Sequence, residues 1–92
     1  MKVKVRFLHP LSTIVGAQEI EMDIGSGSTI NTLLETLAGK YKSFKDTAMD
    51  EGGFNIHIGV FLNNKPVSAL QGLETVMTER DEIMIFFPVA GG

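Results

Sequence analysis

The chain closes on "IMIFFPVAGG", an apolar run from Ile83 to Ala90 followed by Gly91 and Gly92. This ending presents one reactive group without a side chain in its way, the carboxylate of Gly92. The glycine backbone leading to it can approach other groups closely because it carries no Cβ. Ten of the 92 residues are glycine, so composition alone would place two at these positions about once in ninety shuffles. The pair therefore gains meaning only if the rest of the chain builds a domain that would use it. Other candidates for chemistry are weak. There is no cysteine, which excludes disulfides, thiolate zinc sites, iron–sulfur clusters and cysteine nucleophiles. His9 and His57 lack a third ligand at metal-binding spacing and read as surface or turn residues. Asp50-Glu51 before Gly52-Gly53 lacks the alternating oxygen ligands of a calcium loop, and "GSGS" at Gly25 to Ser28 lacks the lysine of a phosphate loop. No metal site is expected, and the methionines read as packing.

What must position the tail is one compact domain. A length of 92 residues with 43% hydrophobic and 21% charged content suits a single core that buries about 60–65% of the unfolded surface. Net charge is −3 with scattered basic residues, which argues against nucleic acid as a partner. "MKVKVRFLHP" lacks the apolar core of a signal peptide, and the C-terminal apolar run is far short of the ~20 residues of a membrane span. No membrane role is expected, and the expected location is cytoplasmic.

From Lys2, strict alternation sets Val3, Val5 and Phe7 against Lys2, Lys4 and Arg6, the period of a half-buried strand. After the breaker "HPLSTIVGA" the alternation returns in "EIEMDI", with Ile20, Met22 and Ile24 on one face and Glu19, Glu21 and Asp23 on the other. The basic and acidic outer faces suit neighbouring strands of one hairpin. "GSGS" stops the second strand, and Thr29 is placed to cap a helix whose stripe is Ile30, Leu33, Leu34, Leu37 and Tyr41. The stretch "SFKDTAMDEGGFN" has no sustained period and reads as a long, partly helical connection. "IHIGVFLNNKPV" resumes strand character with Ile58, Val60 and Leu62 on one face and a tight Asn63-Asn64 turn before a minor strand. Val76 is expected as an apolar anchor, Glu79-Arg80-Asp81 as a polar turn, and Glu82 to Phe87 as the final strand, ended by Pro88. The first and last strands are strongly apolar and suit parallel neighbours at the centre of the sheet. The layout is α+β: a β-grasp over residues 1–87, with a mixed sheet of four to five strands and one main helix on one face. Residues 88–92 form a tail, of which Val89, Ala90, Gly91 and Gly92 span at most ~14 Å.

"VG" at Val15-Gly16, "TINTLLETLAGKY", "VFLNNKPV" and above all "DEIMIFFPVAGG" resemble the ubiquitin-like sulfur carriers and small modifiers. These are the MoaD-type small subunits of molybdopterin synthase, the ThiS-type thiamin sulfur carriers and the archaeal small modifiers. The resemblance covers nearly the whole chain. One departure is Arg80, where relatives usually have glycine before the Asp-Glu, so the turn either avoids positive φ or tolerates strain.

The resemblance implies that the chain is a carrier and co-substrate, with no active site and no permanently bound cofactor of its own. An E1-like adenylating enzyme of the MoeB/ThiF type would use ATP to convert the Gly92 carboxylate into an acyl adenylate. A persulfide on a sulfur donor protein would then leave a thiocarboxylate on Gly92. The first candidate role is the small subunit of molybdopterin synthase in molybdenum cofactor biosynthesis, beside a MoaE-like large subunit. In the modifier branch the amine of a target lysine attacks instead and forms an isopeptide bond. A third reading, of a different class, is a β-grasp interaction module without tail chemistry. Strand parity adds a docking expectation. With Val3, Val5, Phe7, Ile58, Val60, Ile83 and Ile85 on the helix-covered face, Phe61, Met84 and Phe86 fall on the open face beside Lys4 and Arg6, exposed to water and able to bind partners.

Overall fold

The computed structural model describes residues 1–50, 53–54 and 58–87. Strand β1, Lys2–Phe7, buries Val3, Val5 and Phe7 and exposes Lys2, Lys4 and Arg6, as its alternation requires. Strand β2, Glu19–Asp23, pairs antiparallel with it, Lys4 opposite Glu21 and Arg6 opposite Glu19. The Lys2 ammonium lies 3.7 Å from the Glu21 carboxylate, and the Arg6 guanidinium lies 3.4 Å from that of Glu19. These pairs are exposed and worth about 0–1 kcal/mol each, so they favour the register more than they stabilise the fold.

Between β1 and β2 the expected breaker is a short helix, α1, Leu11–Val15. Leu11 is buried, and Gly16 ends the helix at φ 86° with its N–H donated to the Ser12 carbonyl. That left-handed turn suits a residue without a Cβ. Helix α2, Ile30–Lys40, starts at Thr29, whose hydroxyl accepts from the Thr32 N–H at 3.3 Å. It buries Ile30, Leu33, Leu34 and Leu37 completely. Tyr41, expected to extend this stripe, instead ends the helix in an extended conformation and is half-buried.

The connection after α2 is more ordered than its sequence suggests. Helix α3, Lys42–Ala48, sends Phe44 and Ala48 into the core, where the Phe44 ring meets Phe7 edge to face at 6.2 Å. Short strands β3, Met49–Asp50, and β4, Gly53–Phe54, follow as an antiparallel pair. His57, Glu51 and Gly52 lie outside the described residues.

Strand β5, Gly59–Leu62, turns through Asn63 and Asn64, at φ 49° and 70°, into strand β6, Lys65–Pro66. Two successive positive φ values make this the tight turn that matches strand twist. Strand β7 runs Glu82–Phe86, so Phe87 follows the strand and packs against the core rim. The five-stranded sheet has the order β2-β1-β7-β5-β6, with β1 and β7 parallel at its centre and the other pairs antiparallel. Together with α2 across one face, this is the β-grasp.

The approach to β7 departs from the expectation for Val76 and decides between the two alternatives for Arg80. Val76 is no anchor: it is 53% exposed, while Met77 is 1% exposed and Thr75 is buried. Val76 bridges Thr29, and the Met77 N–H donates to the Ser28 carbonyl at 2.9 Å. This pairing with the start of α2 turns Thr75 and Met77 inward and Val76 outward, as the alternation of extended chain demands. Arg80 adopts φ 67° and donates its N–H to the Lys2 carbonyl at 2.8 Å. The turn thus keeps the left-handed geometry at a cost of about 1 kcal/mol for a non-glycine residue.

Candidate functional site: the open face of the sheet

Val60, Leu62, Ile83 and Ile85 point into the core, so their alternating neighbours point away from the helices. The register then lays the open face out in rows. Glu19, Arg6, Met84 and Phe61 are successive cross-strand partners, and beside them run Glu21, Lys4 and Glu82. Charge therefore changes across the sheet, from acidic at the β2 edge through basic on β1 to apolar on β7 and β5. A groove of about 260 Å³ crosses this boundary, lined by Lys4, Arg6, Phe61, Asn63, Asn64, Glu82, Ile83 and Met84. Among the described residues Lys4 has no ion-pair partner.

Phe61, Met84 and Phe86 share the open face, as strand parity implies. They are half-buried, where the expectation was side chains standing in water. Their shelter comes from one another and from a gap in the sheet. The rings of Phe61 and Phe86 lie 5.6 Å apart at 53°, within the range in which aromatic pairs attract. Phe86 is also opposite Gly59, which has no side chain to hold it off the backbone.

The rim of the groove is held by a residue whose role sequence reasoning missed. Asp81 is 8% exposed, and its carboxylate accepts from the Asn63 side-chain amide at 2.9 Å, from the Thr78 N–H at 2.7 Å and from the Thr78 hydroxyl at 3.1 Å. The Asn63 side-chain oxygen accepts in turn from the Glu82 N–H at 2.9 Å. A carboxylate can accept several such bonds at once. Here they join the β5–β6 turn to the start of β7. The signal in the sequence was a threonine three residues before an aspartate beside a strand, which reads as an ordinary turn until Asn63 is brought near.

Val89, Ala90, Gly91 and Gly92, the residues assigned the tail chemistry, lie outside the described residues with Pro88. The base from which they depart is defined. β7 is bonded to β1 on one side and β5 on the other, and the Leu8 N–H reaches the Ile85 carbonyl at 3.1 Å beyond the end of β1. Among the described residues no group of three or more metal-ligating side chains converges, and no helix is long and apolar enough to cross a membrane.

Known proteins resemble this chain in sequence and in fold. Small archaeal modifier protein 3 of Haloferax volcanii is 27% identical over 92 residues, with both chains covered in full. A candidate sulfur carrier protein of Archaeoglobus fulgidus is 32% identical over 92 residues, again with both covered in full. The solution structure of small archaeal modifier protein 1 from Methanosarcina acetivorans superposes with a TM-score of 0.86 at 30% identity, covering 99% of this chain and 96% of that one. A chain of the crystal structure of the Amycolatopsis orientalis BexX/CysO complex is 24% identical with a TM-score of 0.76, covering 98% of this chain and 99% of that one, a likeness that shows the fold alone. The ThiS family model matches residues 5–92, from the first strand through both terminal glycines, and the chain belongs to the ThiS family.

Proposed function

We propose that the protein is a sulfur carrier whose Gly92 carboxylate is activated by a partner enzyme, with the small subunit of molybdopterin synthase as its first candidate role. The observation that carries this reading is that the family match runs through Gly91 and Gly92, so the tail is part of what the chain shares with carriers. The work is divided between domain and tail. Residues 1–87 supply a grip, and residues 88–92 supply the acyl group. A MoeB/ThiF-like enzyme transfers AMP from ATP to the carboxylate and releases pyrophosphate. A persulfide on the sulfur donor displaces AMP to form an acyl disulfide. A second thiol of the donor then breaks the S–S bond and closes a disulfide on the donor, and the thiocarboxylate so released on Gly92 goes to a MoaE-like subunit. In this scheme the chain is a co-substrate and ATP is bound by the partner, which suits a cytoplasmic location. Phe61, Met84 and Phe86 form the apolar floor on which partners dock, with Lys4 and Arg6 beside it. Incubation with the cognate adenylating enzyme, ATP and a sulfur donor is expected to raise the intact mass by one oxygen-to-sulfur exchange, and deletion of Gly92 to abolish it. A full-length protein that forms neither adenylate nor thiocarboxylate would leave the β-grasp interaction module as the better account.

The full-length likeness to a small archaeal modifier protein favours a second reading, conjugation of Gly92 to lysines of target proteins. The last tryptic site before the tail is Arg80, so the remnant on a modified lysine would be "DEIMIFFPVAGG". Absence of this branched species from digests of cells making the protein would remove the support for conjugation.

A further inference from the structure

Among the described glycines, Gly59 alone has its missing side chain replaced by another residue. Its φ is not left-handed, so backbone conformation does not call for glycine there. The reason lies above it. The Phe86 ring rests across the Gly59 backbone so closely that an added Cβ would come within 2.6 Å of Cε2 and 2.7 Å of Cε1, with Cζ closer still. Such separations are inside van der Waals contact. We propose that Gly59 is a positioning residue, the seat that lays Phe86 flat on the open face and so shapes the surface that the activating enzyme grips. The inference rests on the carrier reading for the identity of that enzyme, and on the register alone for the seat.

Gly59 and Phe86 are direct cross-strand partners, and both point away from the helices because Val60 and Ile85 point inward. With nothing at 59 to stop it, the ring lies down, meets Phe61 at 5.6 Å and becomes half-buried. An aromatic ring covering a strand glycine is a known way to protect the exposed backbone. Any side chain at 59 would have to lift the ring. The atoms it meets are at the far end of Phe86, not in the backbone, so the ring can swing while the ladder holds. The change falls on the surface: a flat floor becomes a ring standing beside Met84 and Phe61. Phe86 is two residues before Pro88 in the sequence, so the altered ring is also the docking group nearest the tail in the chain.

Two measurements test this, one on the free protein and one with the enzyme. The Gly59 α protons lie under the Phe86 ring and are expected to resonate upfield of ordinary glycine, returning to normal in Phe86→Leu. Unshifted protons in the wild type would overturn the seat. In adenylation assays with the cognate E1-like enzyme and ATP, Gly59→Ala is expected to raise the KM for the carrier at least roughly fivefold while kcat stays within about twofold. The same change in the Phe86→Leu background is expected to move KM by less than about twofold, because the group it displaces is gone. An unchanged KM, or an equal penalty in both backgrounds, would show that Gly59 does not act through Phe86. A wild-type protein that is never adenylated would overturn the carrier reading and the docking role together, while the proton shift would still decide whether the seat exists.

Discussion

Replacing Asp81 with alanine tests whether the buried carboxylate latch holds the rim of the open face. The side chain accepts three hydrogen bonds, from Asn63 and twice from Thr78, at 2.7 to 3.1 Å. Bonds to a charged acceptor make a net contribution of about 1.5–3 kcal/mol each, but the values do not add, and donors left behind recover part of the loss where water can reach them. Asn63 and Thr78 are exposed as residues, so such recovery is available. A loss of about 2–4 kcal/mol follows, and about half that for Asp81→Asn, which keeps an acceptor but loses the charge. In a domain of this size the alanine variant should melt roughly 10–25 °C lower. Urea unfolding followed by circular dichroism gives the same quantity through the midpoint, and an unchanged m-value would show that the denatured state is not responsible. Because Asn63 also accepts from the Glu82 N–H at 2.9 Å, amide exchange at Glu82 should speed up more than at Ile85 in the middle of the ladder. A destabilisation below about 1 kcal/mol, at the level of an exposed turn residue, would refute the claim that this carboxylate is structural.

Two further expectations concern the faces of the molecule. Substituting both Phe61 and Phe86 with Asp should leave the fold intact but cost about 0.5–1.5 kcal/mol for the lost ring pair; binding to the adenylating enzyme should weaken at least tenfold, about 1.4 kcal/mol, and unchanged affinity by calorimetry would place the docking surface elsewhere. Met77→Ala should cost about 2–5 kcal/mol as a core truncation while Val76→Ser stays within about 0.5 kcal/mol; the reverse order in thermal melts would contradict the inward turn of Met77.

The parts of the fold legible in the sequence are those whose determinants are local. Lys2 to Phe7 alternates without interruption, so strand, register face and hairpin charge pairing could all be read from neighbours. The stripe from Ile30 to Leu37 and the Asn63-Asn64 turn are local in the same sense. Phe44 and Ala48 lie in a seven-residue helix that is too short to show a period. Phe44 is buried against Phe7, which is distant in sequence. Val76 looked like the apolar residue to bury, yet the bridge to Thr29 set the parity, and that contact joins residues far apart in the chain. The open face followed from parity because β5 and β7 are both regular. Gly59 did not, since its meaning depends on which residue the register puts opposite it. Asp81 was visible as a turn residue and became a latch only when Asn63 arrived from another strand.

In the proposed carrier, the placement of β7 would let one short domain offer both a grip and a tail. A terminal strand at a sheet edge has one neighbour and an open side that invites pairing with other chains. β7 instead lies between β1 and β5, so it is bonded along both sides. Its alternation splits its residues between two tasks. Ile83 and Ile85 are buried in the core, whereas Met84 and Phe86 face outward on the same backbone. The strand that carries the tail therefore cannot shift by one residue without moving Ile83 and Ile85 out of the core and Met84 and Phe86 into it. The core thereby fixes where on the open face Met84 and Phe86 lie and where β7 ends. In the proposed carrier, an enzyme gripping the open face would meet the end of β7 at one defined place. This division also predicts which substitutions separate binding from folding: those at 59, 61, 84 and 86 change the surface, while those at 83 and 85 change the stability on which that surface depends.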